Sequence, residues 1–376
     1  MKRNTLTLIA ITVLAVIAFC ACNIDADEGI YSQVVTEPED SDITVLNYLG
    51  YKKDSDGNSI YYYLSNEGVF KYTVKSGESI ESSSNATKKL FSSSKGNIIR
   101  SASYYNDNSV EGMLVLTQTA DLSTTLTFYT YDSTTDTYDS GTELEGYFSG
   151  LLVNGLFYGK QKHLDSDNKA YYKYGIYYFD GSAVNETDII STNTLEITPI
   201  ESENYAFFDV TESSEHTFYV INSDSPSTPV INVAGNSNQY VGFHHISYNS
   251  SDIYLLLDKT DNGSYAYKLS ASGVDDWFTL KSALEHQNIP QSCTFIYDDK
   301  IYIKCSSFFD IYDLNEESIS ATQTNFASEL RLTEITNIKA EDETNSPGIF
   351  IVGTDESFLY RMDLSSSPST ASSFYY

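Results

Sequence analysis

Basic residues are scarce in this chain. Its 376 residues carry 22 Lys+Arg against 52 Asp+Glu, a formal charge of −30 at pH 7. Binding to phosphate backbones needs a basic face, so nucleic acid is excluded as a partner. Long apolar runs are lacking too. The run from Leu6 to Ala21 has 16 residues, and a spanning helix needs ~20. No stretch carries a convincing 3.6-residue apolar period, which argues against a helical fold. Val274 to His286 is the one candidate for a short helix or a turn in a loop. Familiar catalytic words are missing: there is no Gly-x-Ser-x-Gly, no His-Glu-x-x-His, no Cys-x-x-Cys and no phosphate loop.

What is present points to strands. The chain is 41% hydrophobic and 14% aromatic, with 32 Tyr and 19 Phe. That is too apolar and too aromatic for a disordered acidic chain. The abundance of Tyr and Thr favours β-structure.

The N-terminus reads as an address. Lys2 and Arg3 precede the apolar run, and Asn23, Asp25, Asp27 and Glu28 follow it at once, the pattern of an export signal. The run ends in Phe19-Cys20-Ala21-Cys22, which resembles a bacterial lipobox of the relaxed, spirochaete type. Ala21 is the small residue that such a site wants before its cysteine. Phe19 and Cys20 stand where Leu and Ser or Ala are usual. The resemblance implies a signal peptide over 1–21, diacylated Cys22 as the mature N-terminus, and a membrane anchor on the periplasmic or cell-surface side of the envelope. An ordinary secretory signal is the alternative. Residues 22–42 read as an acidic flexible tether containing Glu37, Pro38, Glu39, Asp40 and Asp42.

From residue 43 to 376 two short words recur in alternation. The first is an apolar-aromatic strand: Ile60–Tyr63, Met113–Leu116, Leu156–Tyr158, Ala206–Phe208, Ile253–Leu256, Ile301–Ile303 and Ile349–Val352. The second follows each after a polar turn: Phe70–Tyr72, Phe128–Asp132, Tyr177–Asp180, Phe218–Val220, Ala266–Leu269, Ile311–Leu314 and Leu359–Leu364. The intervals run from 43 to 53 residues. A period near that length built only of strands predicts an all-β fold, a β-propeller of seven blades, with six or eight as the alternatives. Several first words are apolar on both faces, as stacked blades require and a two-sheet sandwich does not. These Tyr-rich words resemble the generic propeller repeats of bacterial extracytoplasmic proteins. The resemblance implies fold and carries over no site residue. The landmarks of kelch, WD and sialidase repeats are missing. Ring closure is expected through an N-terminal strand, from Ile30–Thr36 or Ile43–Tyr51, added to the seventh blade.

Candidate sites are few. Cys293 and Cys305 flank a hairpin, and a three-residue loop at Asp298–Lys300 would set them opposite each other for a disulfide; a register one residue off would leave two buried thiols. Asp54-Ser55-Asp56-Gly57-Asn58 has the alternating oxygens of a calcium loop, but Ser65 stands where a closing acid belongs. The competing reading is turn chemistry, and no cofactor is expected beyond that calcium candidate. Of His163, His216, His244, His245 and His286, none lies in a ligand motif, and His244 and His245 should face opposite ways along a strand. Tyr61–Tyr63, Tyr171-Tyr172 and Tyr177-Tyr178 are expected in the core. The resulting expectation is a monomeric lipid-anchored propeller that binds or scaffolds a protein or glycan without catalysis. The alternatives are a carbohydrate-active enzyme with channel carboxylates, or an envelope-assembly scaffold like the propeller lipoprotein of outer-membrane barrel assembly, whose Trp-rich repeats this chain lacks.

Overall fold

The computed structural model describes residues 43–82, 84–107, 110–202, 204–235, 240–248, 251–258, 265–280, 293–304, 308–315, 319, 321–324, 335–342, 345–355, 357–366 and 370–374. Cys22, Cys305, the segment Ile30–Thr36 and His286 lie outside them.

The described chain is a seven-bladed β-propeller. Each blade is an antiparallel meander whose strands follow sequence order. Blade one comprises Val45–Lys53, Ser59–Ser65, Gly68–Val74 and Ala86–Ser92. Blade two comprises Asn97–Asp107, Val110–Thr119 and Thr124–Asp132, with Thr137–Tyr138 and Thr142–Leu144 as a split outer strand. Blade three runs through Tyr147–Leu151, Leu156–Leu164, Ala170–Phe179 and Val184–Ser191, and blade four through Glu196–Ser202, Tyr205–Glu212, Glu215–Asn222 and Ile231–Ala234. Blade five has Tyr240–Tyr248, Ser251–Asp258, Tyr265–Ser270 and Gly273–Thr279; blade six has Thr294–Tyr297, Lys300–Lys304, Phe309–Asp313 and Ala321–Thr324. Blade seven ends the chain with Ile335–Ala340, Ile349–Thr354, Leu359–Asp363 and Thr370–Ser373. The helix expected over Val274–His286 is corrected: its described part belongs to strand Gly273–Thr279. Val274, Trp277 and Phe278 are strand-favouring residues, and a register shift at Trp277 fits the adjacent pairs Asp275-Asp276 and Trp277-Phe278 into an outer strand.

The two recurring words are the second and third strands of every blade. They lie between neighbouring blades and are covered on both sides. Ile60 to Ser65 and Ile349 to Thr354 are buried without interruption. The outer strand Ala86–Ser92 has no buried residue. First strands of adjacent blades touch one another and so form the hub.

Apolar clusters join successive blades. Phe128 of blade two packs against Phe179 of blade three, ring centres 4.4 Å apart. Tyr62 stacks on Tyr104 across blades one and two at 4.9 Å. Phe295 meets Phe350 across blades six and seven at 4.6 Å. The tyrosines of 61–63 and Tyr177 are core, as expected. Tyr171 and Tyr172 are not; they sit at the start of a third strand, Tyr171 exposed and Tyr172 half-buried.

Closure through Ile43–Tyr51 is corrected, and the alternative Ile30–Thr36 lies outside the described residues. Blade seven draws all four strands from the C-terminal segment, and Val45–Lys53 is the first strand of blade one. Among the described residues no strand is exchanged across the seam, which is joined by side chains and one backbone hydrogen bond. Glu341 of blade seven is buried and takes Nε of Arg361 at 2.7 Å and the Tyr61 hydroxyl of blade one at 2.6 Å. Burial, with the charge of Glu341 beside it, pushes the Tyr61 phenol well up, so it stays protonated and donates. Phe374 packs edge-on to Tyr61 and Tyr72 of blade one at 5.0 and 5.4 Å. Val45 N–H donates to the Ser357 carbonyl at 3.1 Å. Phe374→Ala should cost ~3 kcal/mol by leaving a cavity at the seam. Glu341→Ala should cost a similar ~3 kcal/mol by stranding Arg361. Urea unfolding checks both, and a loss below 1 kcal/mol for each, ~1 being the ordinary surface scale, would show that the seam does not limit stability.

Candidate functional site

The meander fixes two faces. The links between blades and the turns between second and third strands share one, called here the crossover face. Turns between first and second and between third and fourth strands share the opposite one.

On the opposite face a cavity of about 550 Å³ opens beside the hub, lined by blades four to seven. Its walls are the ends of first strands, because these converge there. Tyr205 of blade four stacks on His245 of blade five, ring centres 4.0 Å apart. His245 Nε2 lies 2.9 Å from Asp252 Oδ1. An ionised carboxylate only accepts, so Nε2 carries the proton and Nδ1 is the basic atom of the neutral ring. Burial and the charge of Asp252 push the Tyr205 phenol up. Asn204, Tyr297, Asp298 and Asp299 complete a polar rim. Ser247 stands on the same side of its strand as His245, whose Nε2 is taken up by Asp252. The arrangement can hold hydroxyls and amides.

The hub beside this cavity is bridged. Lys339 Nζ of blade seven meets Glu201 Oε1 of blade four at 3.2 Å. Blades four and seven are on opposite sides of a seven-membered ring, so this ion pair crosses the axis. Nothing in the sequence marks it, since the partners are 138 residues apart.

His244 and His245 do face opposite ways. His244 is buried and its Nε2 lies 2.7 Å from Thr294 Oγ1 of blade six. Burial lowers its pKa from 6.5 to about 3.

Asp54 is a turn staple. Its Oδ1 accepts from the N–H groups of Asp56 and Asn58 at 3.0 and 2.8 Å, and Oδ2 from Asn58 Nδ2 at 2.9 Å. Burial raises its pKa slightly, but these bonds outweigh that and hold it below the usual range. Asp56 is exposed. Among the described residues no group of three or more His, Cys, Asp or Glu is placed to hold a metal. Asp165 repeats the staple through the N–H groups of Asp167 and Lys169.

Cys293 is buried, with Sγ 3.6 Å from the Thr336 carbonyl of blade seven. The expected pairing with Cys305 lies outside the described residues. The loop expected to set its register is corrected. It is a two-residue turn, Asp298-Asp299, both at positive φ, with Tyr297 opposite Lys300 and Thr294 opposite Ile303. A type I′ turn matches strand twist, and Asp tolerates its left-handed backbone.

The buried His244 predicts a pH dependence. Its folded pKa lies below the unfolded value, so the unfolded chain takes up the proton first. Its contribution is complete above about pH 6.5 and is lost as pH falls toward 3, at most ~1.4 kcal/mol per unit. Urea unfolding from pH 7 to 4.5 should show a shallower slope in His244→Gln than in the parent. Superimposable slopes would remove His244 as the cause.

No family model matches the chain, and no curated protein matches it. It is similar at 12% identity to a Bacteroides uniformis protein assigned as a 6-phosphogluconolactonase, with a TM-score of 0.43 over 88% of this chain and 95% of that one. It is also similar at 11% identity to a prolyl endopeptidase structure, with a TM-score of 0.48 over 95% of this chain and 52% of that one, so it spans about half of the endopeptidase. At these identities the likeness is one of fold alone.

Proposed function

We propose that this protein is an exported, monomeric propeller, anchored through lipid on Cys22, that binds or scaffolds a protein or glycan and performs no chemistry. One observation carries the binding role. Nine large apolar side chains stand exposed among the described residues, and eight lie at the crossover face. Leu46, Ile98, Leu122, Tyr147, Leu164 and Phe358 are among them; Val230 is the exception. Scattered exposure is ordinary, but concentration on one end is the signature of an interaction surface.

Asp54, Asp121, Asp132, Asp136, Asp180 and Glu212 are held below the usual carboxylate range, the opposite of what a general acid working near neutral pH needs. At the hub, Glu201 is committed to Lys339.

Two experiments test the proposal. In cells of an envelope-bearing host, the full chain should label with radioactive palmitate and sediment with membranes, and Cys22→Ser should abolish both. Unchanged labelling in that variant would sink the anchor at Cys22. For the binding role, Leu122→Asp should remove the partners captured by cross-linking on intact cells, while Val230→Asp should keep them. Equal behaviour of the two would remove the crossover face as the contact surface.

A further inference from the structure

The crossover face holds a second cavity, of about 680 Å³, between blades two and three and the link to blade four. At its centre is Lys160, on the second strand of blade three. Its Nζ lies 4.9 Å from the ring centre of Tyr172, 5.4 Å from Tyr147 and 6.0 Å from Tyr174. Among the described residues no carboxylate is within ion-pair distance of it. Other lysines, among them Lys52, Lys71, Lys173 and Lys339, each meet an Asp or Glu instead. Three ring faces hold the ammonium in place of an anion. The cation is thus positioned and has capacity for a negative partner.

The walls say more about that partner. Tyr147 is 47% exposed and Leu122, across the cleft, 73%. Tyr158 lies flat on the backbone of Gly150, where a Cβ would come within 2.4 Å of its ring. Glycine there lets a phenol line the cavity. Gln118, Thr124, Ser149 and Thr194 add amide and hydroxyl groups around the edge. Arg100 Nε donates to Gln118 Oε1 at 2.6 Å and brings a second cation to the rim.

We propose that this cleft binds an acidic glycan, a uronate-bearing oligosaccharide whose carboxylate meets Lys160 while its pyranose faces lie on the surrounding tyrosines. The proposal rests on the binding role given above and names the ligand class. An extended acidic peptide normally pairs with a free strand edge. Lys160, Tyr158 and Tyr174 sit on strands paired along both edges, so they offer side chains and no backbone. A phosphoryl group is better served by an Arg fork or a nest of N–H groups than by one ammonium among rings. Sugar rings have apolar C–H faces for tyrosine, hydroxyls for the polar edge, and in uronates one carboxylate per ring. The cavity volume falls in the range of sites that enclose small ligands.

The test is isothermal titration of the folded propeller with three probes: oligogalacturonate, the same oligosaccharide after carboxyl reduction, and polyglutamate of equal charge. The acid sugar should bind, and the other two should bind at least tenfold more weakly. Lys160→Met and Tyr147→Ala should each weaken the acid sugar at least tenfold, and Lys160→Arg should retain most of the affinity. Lys160→Met and Tyr147→Ala should both stay folded and lose at most a few degrees of melting temperature, because they give up only partly exposed ring contacts. Equal binding by Lys160→Met, equal binding of the reduced sugar or of polyglutamate, or no binding at millimolar oligogalacturonate would each overturn the proposal. If cross-linked partners persist on cells while the uronate fails, the binding role stands and only this ligand class falls.

Discussion

Each blade carries two central strands that are apolar on both faces. Such a sheet cannot stand alone in water, nor can it be satisfied by one neighbour. Every blade needs a partner on each side, and a linear stack would leave two ends bare. Closing the ring removes both ends at once. That requirement accounts for the repeated pairs of aromatic words, for clusters that join blades two and three or six and seven, and for the seam between blades seven and one. At the seam Glu341, Arg361, Tyr61 and Phe374 make the joint without a borrowed strand. A buried carboxylate with a guanidinium and a phenol is directional, and so it sets blade one against blade seven at one angle.

The same geometry decides where chemistry can reside. Second and third strands are consumed by packing, which leaves strand ends and turns for recognition. The two faces are not equivalent. On one, a polar cavity beside the bridged hub gathers Tyr205, His245 and Asp298. On the other, exposed apolar side chains surround a cleft with Lys160 among tyrosines. Lys160 is held by three tyrosine rings and not by a carboxylate, a local reversal of the overall acidic field. Long-range repulsion is screened beyond ~8–10 Å, and a single well-placed ammonium can still select an anion at contact.

Much of this was legible in the residues. The words Ile60–Tyr63 through Ile349–Val352 and their partners mark the second and third strands of all seven blades, because burial on both faces forces an unbroken apolar run. The first and outer strands carried little signal. Thr137–Tyr138 and Thr142–Leu144, or Ala86–Ser92, face solvent or the hub and need no such run. Opposite orientations of His244 and His245 followed from strand geometry. Tyr171 and Tyr172 misled, since a tyrosine pair reads alike in a core and at a rim. The two-residue turn at Asp298-Asp299 could not be told from a three-residue loop, because Asp suits either.

By itself the amino-acid order determined the repeat, the strand class and the seven-blade ring, since each is written in local pattern: period and apolar faces. Tertiary structure alone decided how the ring shuts, which acids are spent on cations, and which tyrosines surround Lys160. Those outcomes depend on contacts between residues far apart in the chain, such as Glu201 with Lys339, and no local pattern encodes which distant strand ends a radial closure will bring together.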